Sequence, residues 1–125
     1  MEKEVEHAQR LIQEGKMGEA IAGFQQKSRT VPSLREKVLW TLALGRLLLR
    51  HNKPRLARPY LDQILKDLDY YHLEAWEPSL ALRCLQLIFA GLNALKDPGI
   101  KEEAREILIR IAQLDPAEGI RLGLD

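Results

Sequence analysis

Residues 71–89 read YHLEAWEPSLALRCLQLIF and decide the fold class of this chain. The segment begins with polar and aromatic residues, turns at Trp76-Glu77-Pro78, and continues into a helix with almost no polar face. A surface helix of a small domain normally keeps about half of its circumference polar. This helix therefore has to be covered on nearly every side, and in a short chain we expect part of that cover to come from another subunit.

The composition is that of an ordinary globular protein, with 46% hydrophobic and 30% charged residues over 125 positions, enough for one domain with one core. The 19 basic and 18 acidic side chains nearly cancel, so nothing calls for nucleic acid or an anionic membrane. No secretory leader is recognisable, and the apolar run 80–95 is shorter than a membrane span of about 20 residues and contains Arg83. A single cysteine fits a reducing compartment. We predict a soluble, cytoplasmic protein without membrane insertion.

The absence of sustained two-residue alternation and of hairpin turn signals predicts an all-α fold. Apolar residues recur at helical spacing in six segments separated by glycine, proline and asparagine. The predicted helices are roughly Glu2–Glu14, Met17–Lys27, Leu34–Arg50, Pro54–Tyr70, Pro78–Lys96 and Lys101–Leu114. The tail, residues 117–125, is predicted to add a short helical turn or to fray.

The first two helices have the pattern of a tetratricopeptide-type hairpin, with small residues at Ala8 and Ala20 and a corner at Gly15. An offset of 37 residues relates this hairpin to the next one: it pairs Gly15 with Asn52, Ala20 with Ala57, and Phe24 with Leu61. We therefore predict a tetratricopeptide-like array of antiparallel helical hairpins, with about six helices in one oligomerisation domain over residues 1–125.

No set of residues supports catalysis or a bound metal. The histidines, at positions 7, 51 and 72, fall on different predicted elements, and His72 is only two residues from Glu74, which separates their side chains on a helix. Cys84 lies among leucines and is interpreted as a buried small hydrophobe without a base to activate it. There is no glycine-rich phosphate loop. We predict a protein that is not an enzyme and holds no cofactor and no metal.

Charge is arranged in two blocks of opposite sign. The basic block has no acidic residue and consists of Arg46, Arg50, Lys53, Arg55 and Arg58. The acidic block contains one lysine, Lys66, among Asp62, Asp67, Asp69, Glu74 and Glu77. Either these charges form a solvated face, or they are complementary patches that set the register of neighbouring subunits. Nucleic-acid binding by the basic block is disfavoured, because the acidic block would repel phosphate.

The turn Trp76-Glu77-Pro78 also allows two interpretations, which are not exclusive. Pro78 suits a first helical position, Glu77 favours the positive end of the helix, and Trp76 would fold over that end as a staple. Alternatively, a tryptophan at a helix entrance beside Tyr70 and Tyr71 is a good anchor for a subunit interface.

At this segment the chain resembles the C-terminal domain of TssA, also called ImpA or VasJ-like proteins, of bacterial type VI secretion systems. Three stretches carry the resemblance: LARPYL at residues 56–61, HLEAWEP at residues 72–78, and residues 104–116, which end in Leu-Asp-Pro. The resemblance extends over the whole chain. It implies that the chain is the C-terminal domain of a longer protein, with a naturally short chain as the alternative.

The resemblance implies a non-enzymatic scaffold that helps to assemble the contractile tail, at the baseplate or at the distal end of the sheath. Its partners would be itself, in a ring-like particle of dihedral symmetry, and the baseplate, sheath and tube proteins. The predicted oligomer interface combines the aromatic residues at the turn with members of both charged blocks: Tyr70, Tyr71, Trp76, Glu77, Pro78, Leu80, Arg50, Arg55, Asp67 and Asp69.

The alternative function is a monomeric tetratricopeptide-like adaptor that binds a peptide or a partner helix in a helical groove. It predicts a concave surface with spaced polar residues and a single species in solution. The small number of asparagines and the large amount of apolar helix disfavour this alternative.

Overall fold

The computed structural model describes all 125 residues as an array of eight α-helices without a strand. The helices are α1 (Glu2–Gln13), α2 (Met17–Thr30), α3 (Leu34–Arg50), α4 (Pro54–Tyr70), α5 (Leu73–Trp76), α6 (Pro78–Leu95), α7 (Lys101–Leu114) and α8 (Pro116–Arg121). A 3₁₀ turn, Pro98–Ile100, precedes α7. The predicted all-α fold is confirmed, and α3, α4 and α7 have the predicted bounds.

Two short helices raise the number above the predicted six. Residues 71–77, where no helix was predicted, contain α5, which is a single helical turn that follows His72 in a left-handed conformation (φ +53°). The tail forms α8 rather than fraying, because the Asp115 carboxylate caps it by accepting the N–H of Glu118 at 3.2 Å.

The two hairpin corners that the 37-residue offset relates have the same backbone geometry. Gly15 and Asn52 both have positive φ, +81° and +57°. The N–H of Lys16 donates to the carbonyl of Leu11 at 2.7 Å, and the N–H of Lys53 donates to the carbonyl of Leu48 at 2.9 Å. This hydrogen bond from a residue to the carbonyl five positions earlier is typical of a helix that ends in a left-handed residue, a position that glycine and asparagine occupy at low cost.

The interiors of these two hairpins also correspond. The pairs predicted from the sequence, Ala20 with Ala57 and Phe24 with Leu61, are all buried. Three further buried pairs have the same spacing: Leu44 with Ala81, Leu47 with Cys84, and Leu48 with Leu85. The third hairpin departs from the repeat, because α6 continues to Leu95, beyond the position equivalent to the Asn52 corner.

The helices stack in two rows. On one side α3 packs against both α1 and α6. On the other side, polar side chains connect α2, α4 and α7: Gln25 donates to the Tyr60 hydroxyl at 2.9 Å, and Arg58 donates to Glu103 at 2.7 Å. The core runs between the rows, with the buried side chains of α3, α4 and α6 at its centre.

The apolar helix α6 is covered by its own chain. Its buried face packs on α3, α4, α5 and α7 and consists of Leu80, Ala81, Cys84, Leu85, Ile88, Gly91 and Leu92. Its exposed side chains are small or polar, such as Ser79, Arg83, Ala90 and Asn93, whereas Leu82, Leu87, Phe89 and Leu95 are half-buried. Four neighbouring helices of the same chain thus cover one face of α6, and a contribution from another subunit stays a prediction.

The expectation that this apolar segment is too short to span a membrane needs correction. At 18 residues, α6 is long and apolar enough to cross a membrane by length and composition alone. However, 44% of it is buried inside the protein, and a core helix of a folded domain meets the same criteria. The α6 helix is thus a central packing element of this fold.

Candidate self-association surface

Three exposed aromatic side chains lie within one seven-residue stretch of the sequence, where α4 ends and α5 follows. Trp76 is 80% exposed, Tyr70 is 77% exposed and Tyr71 is 45% exposed. The rings of the two tyrosines meet edge to face, with centroids 4.8 Å apart and an interplanar angle of 76°. We call Tyr70, Tyr71 and Trp76 the aromatic corner.

The single turn of α5 decides which side chain of this segment faces the core. Leu73 is buried and anchors the turn, whereas Trp76 at the other end of the turn faces solvent. The predicted staple, in which Trp76 folds over the start of α6, is therefore wrong. Large exposed apolar side chains in one place are typical of an interaction surface.

The guanidinium of Arg110 holds the corner in place. It reaches from α7 and donates to Asp69, at the end of α4, at 2.7 Å. It also donates to both carboxylate oxygens of Glu74 on α5, one of them at 3.2 Å. The hydrogen bond to Glu74, and then the one to Asp69, raises the pKa of Arg110, while burial opposes the increase. Three helices are thus fixed to one side chain directly beneath the aromatic residues.

The other predicted interface residues at this turn have different surroundings. The Glu77 carboxylate lies 3.4 Å from Nε of Arg35, and Pro78 is exposed at the first position of α6. Leu80 is only 3% exposed and belongs to the core. Its inclusion in the predicted interface was wrong, because α6 turns it toward the neighbouring helices of its own chain.

The acidic block is largely paired within the chain. Asp69 and Glu74 bind Arg110, Glu77 lies beside Arg35, and Asp62 accepts a hydrogen bond from Arg58 at 3.0 Å. Asp67 forms no ion pair and accepts a hydrogen bond from the Gln63 amide at 3.1 Å. Partial burial raises the pKa of Asp67, against the opposing effects of Gln63 and of the Lys37 charge. These pairs within the chain leave fewer acids free to contact a neighbouring subunit, and the complementary patches stay a prediction.

The basic block is divided. Arg58 is paired with Asp62 and Glu103, whereas Arg50, Lys53 and Arg55 are exposed and form no ion pair. These free charges surround the turn between α3 and α4, at the end of α4 opposite the aromatic corner. At 1.5 Å per residue, Arg55 and Asp69 are separated by about 21 Å along α4. The structure therefore places the predicted interface residues in two separate groups.

Sequence reasoning missed several residues of these surfaces. Leu56, beside Arg55, and Ile109 and Ile120 near the C-terminus are large apolar side chains left on the surface. Arg110 carried no recognisable signal, because its two partners lie 41 and 36 residues earlier in the sequence. Only the three-dimensional arrangement of α4, α5 and α7 identifies its role.

The structure contains no group of three or more histidine, cysteine, aspartate or glutamate side chains placed to hold a metal ion. Burial raises the pKa of the Cys84 thiol to about 12, so it stays protonated at neutral pH. The exposed aromatic and charged side chains described above are suited to contacts with other macromolecules.

A comparison with models of known protein families identifies the family of this chain. The model of a protein family described as "Type VI secretion, EvfE, EvfF, ImpA, BimE, VC_A0119, VasJ" matches residues 1–88, which include α1 to α5, the aromatic corner and the first half of α6. No curated protein and no solved structure matches the chain. By this match over most of its length, the chain belongs to the ImpA/VasJ family of type VI secretion proteins.

Proposed function

We propose that this protein is a non-enzymatic structural component of a type VI secretion system. In this proposal it is cytoplasmic, binds no nucleic acid, does not insert into a membrane, and self-associates into a ring-like scaffold at the baseplate or at the distal end of the contractile sheath. Membership of the family supports the role in secretion. The observation that carries self-association is the exposed aromatic corner.

The aromatic corner has the properties of an interface anchor. Tyrosine and tryptophan each bury about 150–250 Å² when covered, and they are enriched among the residues that dominate binding energy. The ion pairs of Arg110 fix α4, α5 and α7 before any partner arrives, so little flexibility is lost on association. Glu77 and Pro78 follow the corner in the sequence and, with Arg35 paired to Glu77, would form its rim.

A ring with dihedral symmetry needs two kinds of contact, one between identical surfaces and one between different surfaces. We assign the contact between identical surfaces to the aromatic corner. The second contact would use Arg50 and Arg55, at the other end of α4, with Asp67 as the acidic residue that has no ion pair. Asp69 would then contribute indirectly, by holding Arg110 beneath the corner.

Light scattering after size-exclusion chromatography, over a range of protein concentrations, tests the proposal. A particle well above a dimer, with a mass that is a fixed multiple of the 14.3 kDa chain, is the expected result. A monomer at every concentration would contradict self-association and would favour the monomeric adaptor. Co-purification with baseplate, sheath and tube proteins of the same secretion system tests the wider role.

A further inference from the structure

A second surface lies on the side of the array where α1, α3 and α6 stand next to one another. A cleft of about 640 Å³ opens there. Its apolar lining, which we call its base, consists of Val5, Ala43 and Leu47. The other lining residues are Arg46, Arg50 and Arg83 of α3 and α6, and Met1, Glu2 and Glu6 at the start of the chain. We call it the arginine cleft. None of its residues belongs to the aromatic corner, and Arg50 is the one residue that it shares with the proposed second ring contact.

The three arginines of the cleft have no acidic partner. None of them forms an ion pair. On the opposite row, by contrast, Arg58 of α4 and Arg110 of α7 are both paired with carboxylates. Burial, and then the positive charges of Arg83 and Arg50, lowers the pKa of Arg46 from its ordinary value. Like charges held this close repel one another, and an anion between them would relieve that repulsion.

The repeat of the fold explains how these side chains come together. Arg46 and Arg83 are 37 residues apart, the same offset that relates Gly15 to Asn52 and Leu48 to Leu85. They therefore occupy equivalent positions on α3 and α6, which pack side by side. Arg50 follows Arg46 by one helical turn on α3 and extends the same row.

We propose that the arginine cleft binds an acidic segment of another protein, with its carboxylates on Arg46 and Arg83 and an aliphatic side chain on Val5 and Ala43. The apolar base favours a peptide over a nucleic acid, because a phosphate backbone offers no aliphatic group to cover it. Glu2 and Glu6 of α1 would repel a continuous line of phosphates, whereas a peptide with spaced carboxylates can direct them to the arginines and its aliphatic side chains elsewhere. This binding goes beyond the proposed self-association, because the occupant is another protein.

Fluorescence anisotropy with two labelled ten-residue peptides tests the proposal. One peptide alternates Glu and Leu, and the other replaces every Glu by Gln. The acidic peptide is expected to bind, more weakly as salt is raised, and the amide peptide is not. Arg83→Gln and Arg46→Gln should each weaken binding about tenfold, which corresponds to about 1.4 kcal/mol. Arg105→Gln is the matched control, because Arg105 is exposed on α7, is unpaired and lies outside the cleft.

Circular dichroism melting shows whether each variant is folded, and the exposed Arg83 keeps the test valid if the half-buried Arg46 variant unfolds. Equal binding of the two peptides, equal loss in Arg83→Gln and Arg105→Gln, or an equally effective short DNA duplex as competitor would overturn the proposal. The peptide should still bind a Trp76→Ala variant that no longer assembles. Loss of peptide binding at the cleft and loss of self-association are thereby measured separately.

Discussion

Arg110 on α7 donates a 2.7 Å hydrogen bond to Asp69 on α4, although the two residues are 41 positions apart in the sequence. The same guanidinium binds Glu74 on α5, so one side chain of α7 connects the two helices that carry the aromatic corner. The side chain of Arg110 is less exposed than that of Asp69, and a half-buried charge-assisted hydrogen bond stabilises more than a surface ion pair.

Replacement of Arg110 by glutamine should lower the free energy of unfolding by about 1–2 kcal/mol, because two carboxylates lose their cation. Urea denaturation measures this change. Amide hydrogen exchange of residues 73–76 should become faster in the variant, since α5 loses its connection to α7. Arg105→Gln on the same helix is the control and should change stability by less than about 0.5 kcal/mol. Equal effects of the two substitutions would show that the ion pairs contribute nothing specific.

Trp76→Ala should reduce the size of the assembly and leave the stability of the fold almost unchanged, because the side chain is exposed in the single chain. Truncation of a tryptophan anchor costs about 2 kcal/mol or more, roughly a thirtyfold loss at each contact. Particle mass and melting temperature are measured on the same sample. Full-sized particles from Trp76→Ala would remove the aromatic corner from the proposed interface.

Leu80→Ala provides the contrast to Trp76→Ala. Leu80 lies on α6 and is buried against the neighbouring helices, so its truncation should destabilise the fold by about 2–5 kcal/mol. Any loss of assembly in this variant should follow its loss of folded protein, as measured by circular dichroism. A folded Leu80→Ala protein of normal stability would contradict its placement in the core.

Gly119→Ala should destabilise the junction of α7 and α8 by about 1–3 kcal/mol. A Cβ atom at position 119 would stand 2.5 Å from Cβ and 3.0 Å from Cα of Ala112, and the backbone of α7 cannot yield easily. Gly23→Ala is the matched control, because a Cβ at this position in α2 meets nothing within 4 Å. That substitution should instead stabilise the protein by about 0.4–1 kcal/mol. Thermal unfolding of both variants checks the opposite signs.

The buried thiol of Cys84 should make the folded protein less stable in alkaline solution. The thiol titrates at an ordinary pKa of 9.0 in the unfolded chain, whereas burial raises its pKa to about 12 in the folded protein. The unfolded chain therefore loses its proton first, and the stability contributed by the neutral thiol is present below pH 9 and lost as the pH rises toward 12. The loss should approach about 1.4 kcal/mol for each pH unit in that window.

The difference between wild type and Cys84→Ala isolates this effect from the titration of lysines and tyrosines. Urea unfolding from pH 8 to pH 11 should give curves that converge for the two proteins as the pH rises. A thiol reagent at pH 8 should modify Cys84 only after denaturation. Parallel unfolding curves, or rapid modification of the folded protein, would show that the thiol is accessible.

The helices whose ends carry their own chemical signals could be predicted from the sequence. A serine three residues before a glutamate is the pattern of a capping box, and the Ser33 hydroxyl accepts the N–H of Glu36 at 3.1 Å. Proline suits a first helical position, and α4 begins at Pro54. The Gly15 and Asn52 corners were found because their backbone requirement selects the residue type. By contrast, α5 is held by the burial of Leu73 and by Arg110, and neither contact is visible in local sequence.

The candidate surface was predictable in its position and not in its details. The sequence placed the aromatic residues at a helix entrance, but periodicity could not decide between a Trp76 that covers its own helix and one that faces solvent. That choice depends on the packing of Leu73 in the same turn. The charged blocks were visible as well, yet the sequence did not show which charges pair within the chain, because pairs such as Arg58 with Glu103 form across 45 residues.

The 37-residue repeat also has a consequence for how the chain is made. Each hairpin packs mainly on the one before it in the sequence, so the average separation of contacting residues is small and folding should be fast. The pair α1 and α2 can form as soon as it leaves the ribosome, and every later helix then finds a finished surface to join. A newly made copy would thus reach its native shape before a neighbouring copy could capture its apolar helices.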